Sequence, residues 1–345
     1  MHEPWSALLE EKPPGDNDRI AHFGDPDAEL HAAEHAGIVV PLTDTGFIGA
    51  YGPDARTFLH GQLTQAIEDL PEERWRLAGY CSPKGRLLAL LRVMEDGGEG
   101  VLGLLDRDIV ESTLGRLRMF VLRSRVALEN LTGQTAALGL AGAPAVELIS
   151  ELAGTPPAEH GGVSEAGDLR VLRLGDDGNV PRFILVTPAS ELRNIWNMLG
   201  RGLTAAGGNA WELLAIRSGE PAITGPNVEA FVPQMVNLEL IDGVSFSKGC
   251  YPGQEIVARM HYRGQAKRRM FRIVLDTDEP PEPGTAVRTG QEQEAGTIVR
   301  AARNRQGRVE ALAVLPLARV AEERLFVDGV AVELETLPYP IPTGE

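Results

Sequence analysis

The sequence predicts an α+β protein with more than one globular unit, ending in a small C-terminal β-barrel or sandwich. Three observations carry this. The chain has 345 residues, more than one hydrophobic core usually supports. Between residues 38 and 217, apolar runs of strand length alternate with runs of helical spacing. After about residue 267 only short strand-like runs divided by turn signals remain.

Residues 1–37 read as an N-terminal extension. Glu10 to Asp18 combines charge with Pro13, Pro14 and Gly15, which disfavours packing, and 27–35 forms a short helix after Pro26. His2, His22, His31 and His35 are irregularly spaced and read as solvated polar residues, so no metal site is expected. From Ile38 the pattern becomes ordered, with strands at 38–42 and 47–51. The turn Gly52-Pro53-Asp54 starts a helix at 55–60 that Gly61 ends. Cys81 reads as a buried strand residue before the turn Ser82-Pro83-Lys84-Gly85-Arg86, which reads as solvated. Strands at 87–94 and 101–105 form a hairpin across the Gly- and acid-rich 95–100. Ile109, Val110, Thr113, Leu114, Leu117, Phe120 and Val121 place a helix over 109–121.

A second α+β subdomain, at about 131–205, reads as an insertion into a region spanning 38–266. It comprises 136–141, 146–152, 171–174, 183–187 and 190–199, and is followed by a helix at 211–217 that stops at Gly219. Residues 267–345 form the barrel domain, with strands at 270–276, 286–288, 296–300, 309–315 and 330–334.

Composition excludes several classes. The formal net charge is −16, which opposes general affinity for nucleic acid or an anionic membrane surface. Two cysteines in 345 residues do not make a disulfide framework and point to a reducing compartment. No signal peptide is visible, and the greasy run 87–94 contains Arg92 and is too short to span a bilayer. A cytoplasmic, monomeric protein is expected.

Chemistry concentrates at Lys248-Gly249-Cys250-Tyr251-Pro252-Gly253-Gln254-Glu255. Pro252 suits a first helical turn, and Ile256, Val257 and Met260 then recur at helical spacing. Cys250 would lie near a helix N-terminus beside Lys248 and Arg259, where the dipole and the cations favour a thiolate. A basic island follows: Arg259, Arg263, Lys267, Arg268, Arg269 and Arg272, without an acid among them. In an acidic chain this points to an anionic partner.

These residues resemble the signature of the YgfZ family, folate-binding proteins related to the T-protein (aminomethyltransferase) of the glycine cleavage system. The similarity runs through Lys248 to Glu255, Ala258-Arg259 and Arg263-Gly264. Upstream it takes in Val232-Pro233-Gln234-Met235-x-Asn237-Leu238, Gly243 to Phe246, Trp211 to Pro221, Lys84-Gly85-Arg86 and the block from Gly52 to Thr64. It implies a three-subdomain cloverleaf around a central funnel that holds tetrahydrofolate, and a role in making or maintaining iron–sulfur clusters, including those of tRNA-thiolating enzymes. On that resemblance Cys250 and Lys248 are the functional pair. Trp211, Asn237, Tyr251, Gln254, Glu255, Arg259 and Arg263 are the folate-binding residues, with the island pairing the glutamate carboxylates. The partners implied are folate and iron–sulfur client proteins, with no direct nucleic-acid contact. One-carbon transfer of the aminomethyl type is the alternative. Against it, Ala89 stands where the T-protein has its transfer aspartate, and Arg217 where relatives carry a pterin-binding glutamate.

Overall fold

Two sheets and a closed barrel carry the chain. The computed structural model describes residues 5–8, 19–178, 180–264, 266–322 and 324–342; the charged stretch 10–18 and His2 lie outside them. The first sheet is antiparallel, in the order Arg76–Cys81, Leu87–Glu95, Val101–Asp106, Thr45–Tyr51, Ala127–Asn130. The expected hairpin lies in its middle, turning through Gly97 and Gly98 at positive φ. The helix Val110–Arg118 buries Val110, Thr113, Leu114 and Leu117. It stops three residues before the spacing predicted. Leu122 takes φ +43°, which no right-handed helix contains, and Phe120 faces solvent.

The second sheet has the order Thr204–Ala205, Ile38–Pro41, Thr135–Ala141, Arg182–Pro188, Leu169–Arg173, Val163–Ala166. Ile38–Pro41, a strand whose partners the sequence left open, pairs with Thr135–Ala141 and Thr204–Ala205. All four of its residues are buried. A fully buried strand carries no alternation to say which sheet it joins. One face of this sheet packs Leu138, Leu140, Phe183 and Leu185 with Ile149 and Ile195 of helices Ala143–Ala153 and Leu192–Leu199. The other turns Ala137, Ala141, Ile184 and Val186 into a core shared with the first sheet.

The described part of the N-terminal segment is docked. Asp25 Oδ1 accepts the Ala28 N–H at 3.0 Å and caps the helix Pro26–His35, which buries Leu30, Ala32 and Ala33. Asp27 pairs with Arg303, and Glu34 with Arg217 and Arg305.

The barrel closes in the order Arg268–Leu275, Val309–Pro316, Glu294–Arg303, Ala286–Thr289, Leu325–Val327, Val330–Glu335. Ile273, Val287, Ile298, Ala311 and Leu315 fill its interior. The sequence did not reveal Leu325–Val327, because three residues are too few for a period. The helix Gly208–Arg217 packs against the barrel strand Glu294–Arg303 and the strand Ile38–Pro41. It thereby carries Trp211 to the junction of all three units. No described helix is long and apolar enough to cross a membrane.

Candidate functional site

At that junction lies a cavity of about 940 Å³, including its open side. Trp211 rests flat on the second sheet at Gly139. A Cβ at that glycine would come within 2.8–2.9 Å of three indole atoms, so only glycine leaves room for the ring. The Arg182 guanidinium stands 4.8 Å from the indole centroid, a cation–π contact in a desolvated place.

Charge dominates the cavity wall. Arg300 grips Glu212 through both carboxylate oxygens, at 2.5 and 2.6 Å. Arg182, fully buried, donates to Glu220 Oε2 at 3.3 Å from both Nη atoms and to Ser218 Oγ at 2.9 Å. Arg92 pairs with Glu220 as well. Three guanidinium groups thus share two carboxylates, and the Nε atoms of Arg92 and Arg182 have no partner. Burial, and then the neighbouring Arg300, push Arg92 down to about 10 and Arg182 to about 9, so both remain cations at neutral pH. Burial works against the charge on Glu212, but Arg300 holds its pKa below the ordinary value.

On the solvent side Arg19 bridges Asp44 at 3.2 Å and Asp106 at 3.3 Å. Burial, reinforced by Asp44 and opposed by Arg19, raises Asp106 to about 7. A second cavity of about 970 Å³ shares Leu77 and Glu220 with the first and is lined by Trp75, His160 and Tyr339.

The cysteine loop is a separate place. Cys250 is exposed, whereas Cys81 is buried, its thiol pushed up to about 12 by that burial. Lys248 Nζ donates to the Leu63 carbonyl at 2.8 Å and to the His60 carbonyl, and lies 4.8 Å from the Tyr251 ring centroid. Burial lowers Lys248 to about 8, against the pull of Cys250 and Glu68. His60 Nδ1 accepts from the Ile67 and Glu68 N–H groups at 3.3 Å each, and its Nε2 faces Gly249.

Two glycines lock the loop in place. Gly253, at φ +79°, caps the helix Gln254–Arg263, and a Cβ there would sit 2.5 Å from Ser82 O and 2.6 Å from Gly85 Cα. Gly85, at φ +69°, would in turn strike Ile256 Cβ at 2.8 Å. The turn Ser82 to Arg86 is therefore the seat of the cysteine loop rather than a merely solvated turn. Arg86 Nη1 anchors it on Ala230 O at 2.6 Å. Pro252 precedes the capping glycine instead of entering the first turn.

The residues expected together divide between these places. Trp211 lines the cavity, while none of Lys248, Cys250, Tyr251, Gln254, Glu255 or Arg259 does; the side chain of Arg263 lies outside the described residues. Tyr251 is buried beneath Lys248; Glu255 and Arg259 are exposed and Gln254 half-buried. Asn237, in the left-handed conformation, is fully buried and donates to the Met270 carbonyl at 2.8 Å. The basic island is not one patch. Arg269 pairs with Glu239 and Arg272 with Glu310; three positions apart on the strand Arg268–Leu275, they leave it on opposite faces.

Two substitutions weighed from the sequence also fall elsewhere. Ala89 is fully buried and does not line the cavity; Leu90 and Arg92 are the residues of its strand that do. Arg217 is spent on Glu310 and Glu34, outside the cavity. The residues that sequence reasoning missed are Arg92, Arg182, Glu212, Glu220 and Arg300. Two carried a signal: an arginine within the apolar run 87–94, and another beside 183–187.

The architecture is that of an aminomethyltransferase-T-like protein with a C-terminal barrel. It is similar to the glycine cleavage system aminomethyltransferase T from Bartonella henselae, with a TM-score of 0.73 at 16% identity over 90% of this chain and 88% of that one. Residues 267–339 match the family described as CAF17, C-terminal beta-barrel domain. The chain is 31% identical to the tRNA-modifying protein YgfZ of Pectobacterium carotovorum, over 90% of this chain and 94% of that protein. It is 32% identical to the protein of that name from Edwardsiella ictaluri, over 91% and 96%. The chain belongs to the YgfZ family.

Proposed function

We propose that the protein binds tetrahydrofolate in the Trp211 cavity and serves as an accessory factor for making or maintaining iron–sulfur clusters. Through enzymes that carry such clusters it would support tRNA modification, the activity named for its relatives. The observation that carries the folate reading is the pair of buried, partnerless Nε–H groups on Arg92 and Arg182. A buried donor without an acceptor costs about 1–3 kcal/mol. A ligand with a ring carbonyl and carboxylates, as a folate has, supplies acceptors for both. The Trp211 indole offers it an aromatic edge. Bound tetrahydrofolate would provide a carrier for one-carbon groups.

Titrating tetrahydrofolate against tryptophan fluorescence tests this, with Trp211→Phe to identify the reporter. Saturable quenching that Trp211→Phe abolishes is expected; absence of binding at millimolar ligand would remove the folate reading. Cys250, exposed on its own loop, is the reactive or ligating thiol. Since a stable cluster usually takes four such ligands, one thiol suits a shared or transient role. Iron–sulfur enzyme activity in a deletion strain should return with the wild type and not with Cys250→Ala. Equal rescue would sink the thiol role.

One observation favours a second reading, one-carbon transfer. Asp106 faces the cavity with a pKa of about 7, the range that suits an acid–base group. Incubation with tetrahydrofolate and an aminomethyl thioether, whose one-carbon unit is already at the formaldehyde level, should then yield methylene-folate with release of ammonia and the free thiol, and Asp106→Asn should abolish it; no product excludes transfer.

A further inference from the structure

The turn after the helix Val110–Arg118 breaks two rules of surface design. Met119, Phe120 and Leu122 are 64%, 46% and 86% exposed, three large apolar side chains within four residues. Leu122 also holds φ +43°, a left-handed conformation that a leucine adopts only against steric strain. The strain is fixed from both sides. Ser124 N–H donates to Val121 O at 2.7 Å, and Arg125 N–H to Asp54 Oδ2 at 2.7 Å. The fold thus holds a leucine outward where glycine would sit at ease.

Residues 116–125 carry four cations, Arg116, Arg118, Arg123 and Arg125, and no acid, in a chain of net charge −16. Arg118 is tied to the Leu128 carbonyl and Arg125 to Asp54. Arg116 and Arg123 are exposed and have no carboxylate partner among the described residues.

We propose that residues 116–125 form a docking surface for an acidic protein, whose apolar pocket takes Leu122 and Phe120 and whose carboxylates meet Arg116 and Arg123. Charge complementarity selects a protein over a polyanion. RNA or an anionic membrane would meet the repulsion of the whole acidic chain at long range, whereas carboxylates around a protein pocket act at contact, within the screening length. Exposed aliphatic side chains need a pocket to fill, which a phosphate backbone does not offer. This inference is independent of the folate and cluster readings.

The test places a photoreactive benzoylphenylalanine at position 122 of the full-length chain and irradiates it in cells. The cross-linked polypeptide is then purified and its binding to the unmodified protein measured. An acidic polypeptide is expected, with binding weakened about tenfold or more by Leu122→Ser and by the pair Arg116→Glu and Arg123→Glu, and weakened by salt. Leu122→Gly gives a second readout: relief of strain raises the melting temperature while docking is lost. Cross-linking only to nuclease-sensitive RNA, sedimentation of the wild type with phosphatidylglycerol vesicles, or no adduct at all would overturn the proposal. So would partner binding that these substitutions leave unchanged.

Discussion

The cavity and the cysteine loop hold the chain's unusual chemistry in opposite ways. In the cavity, charged side chains from four distant segments are buried against one another, and Glu220 alone serves both Arg92 and Arg182. At the loop the thiol is exposed, and order comes from backbone: glycine packed on glycine, and an ammonium held by two carbonyls. The first arrangement makes a cavity whose stability depends on charge balance. The second makes an exposed tip that can change without disturbing the core. On the proposed reading, binding and thiol chemistry would fall on different parts of one scaffold.

The largest effect should come from Glu220→Ala. It strands two buried guanidinium groups, and removing one partner of a buried pair costs about 3–5 kcal/mol. Chemical denaturation measures it; a loss within error would show that water already reaches the cavity and would break the contrast with the loop. Gly253→Ala comes next. The new Cβ meets Ser82 and Gly85 at under 3 Å and must adopt positive φ, so about 1–3 kcal/mol is expected, with Cys250 becoming less ordered by NMR. Gly139→Ala should cost a similar or smaller amount, since the indole can tilt. It should shift tryptophan emission and weaken folate binding without altering the reactivity of Cys250.

The two regions should also respond to pH with opposite signs. Asp106 titrates at about 7 when folded, against an ordinary value of 3.8. The native chain therefore binds the extra proton between those values, and stability falls as pH rises from 3.8 to about 7. Lys248 titrates at about 8 when folded, against 10.5. Here the unfolded chain holds the extra proton, so stability rises from pH 8 to 10.5. Melting curves of Asp106→Asn and Lys248→Met should each flatten one limb only. The smallest effect is that of Cys250→Ala, within about 0.5 kcal/mol because the side chain is exposed. Brief alkylation should accordingly modify Cys250 alone and leave Cys81 untouched, as mass spectrometry of the intact protein would show.

Much of this was legible before any tertiary information. The helix Gly208–Arg217, the hairpin at 87–105 and five of the six strands of the barrel follow from apolar period and turn residues. The glycines around Cys250 marked a loop that is poor core material. The expected grouping of Trp211 with Lys248, Cys250 and Arg259 had no such support, because spacing along the chain does not say which surface a motif faces. The strand Ile38–Pro41 shows the same limit: buried on both sides, it bears no mark of its sheet.

The sequence by itself determined the α+β class, the terminal barrel, the glycine-framed thiol and family membership, since these rest on local pattern and contiguous motif. Only the tertiary structure decided that Arg92, Arg182 and Glu220 share a cavity with Trp211, and that the thiol stands apart from it. An ion pair between residues separated by more than a hundred positions leaves no periodic trace. Its partners are chosen by which faces of two sheets and a barrel close on one another, and that choice belongs to the packed chain alone.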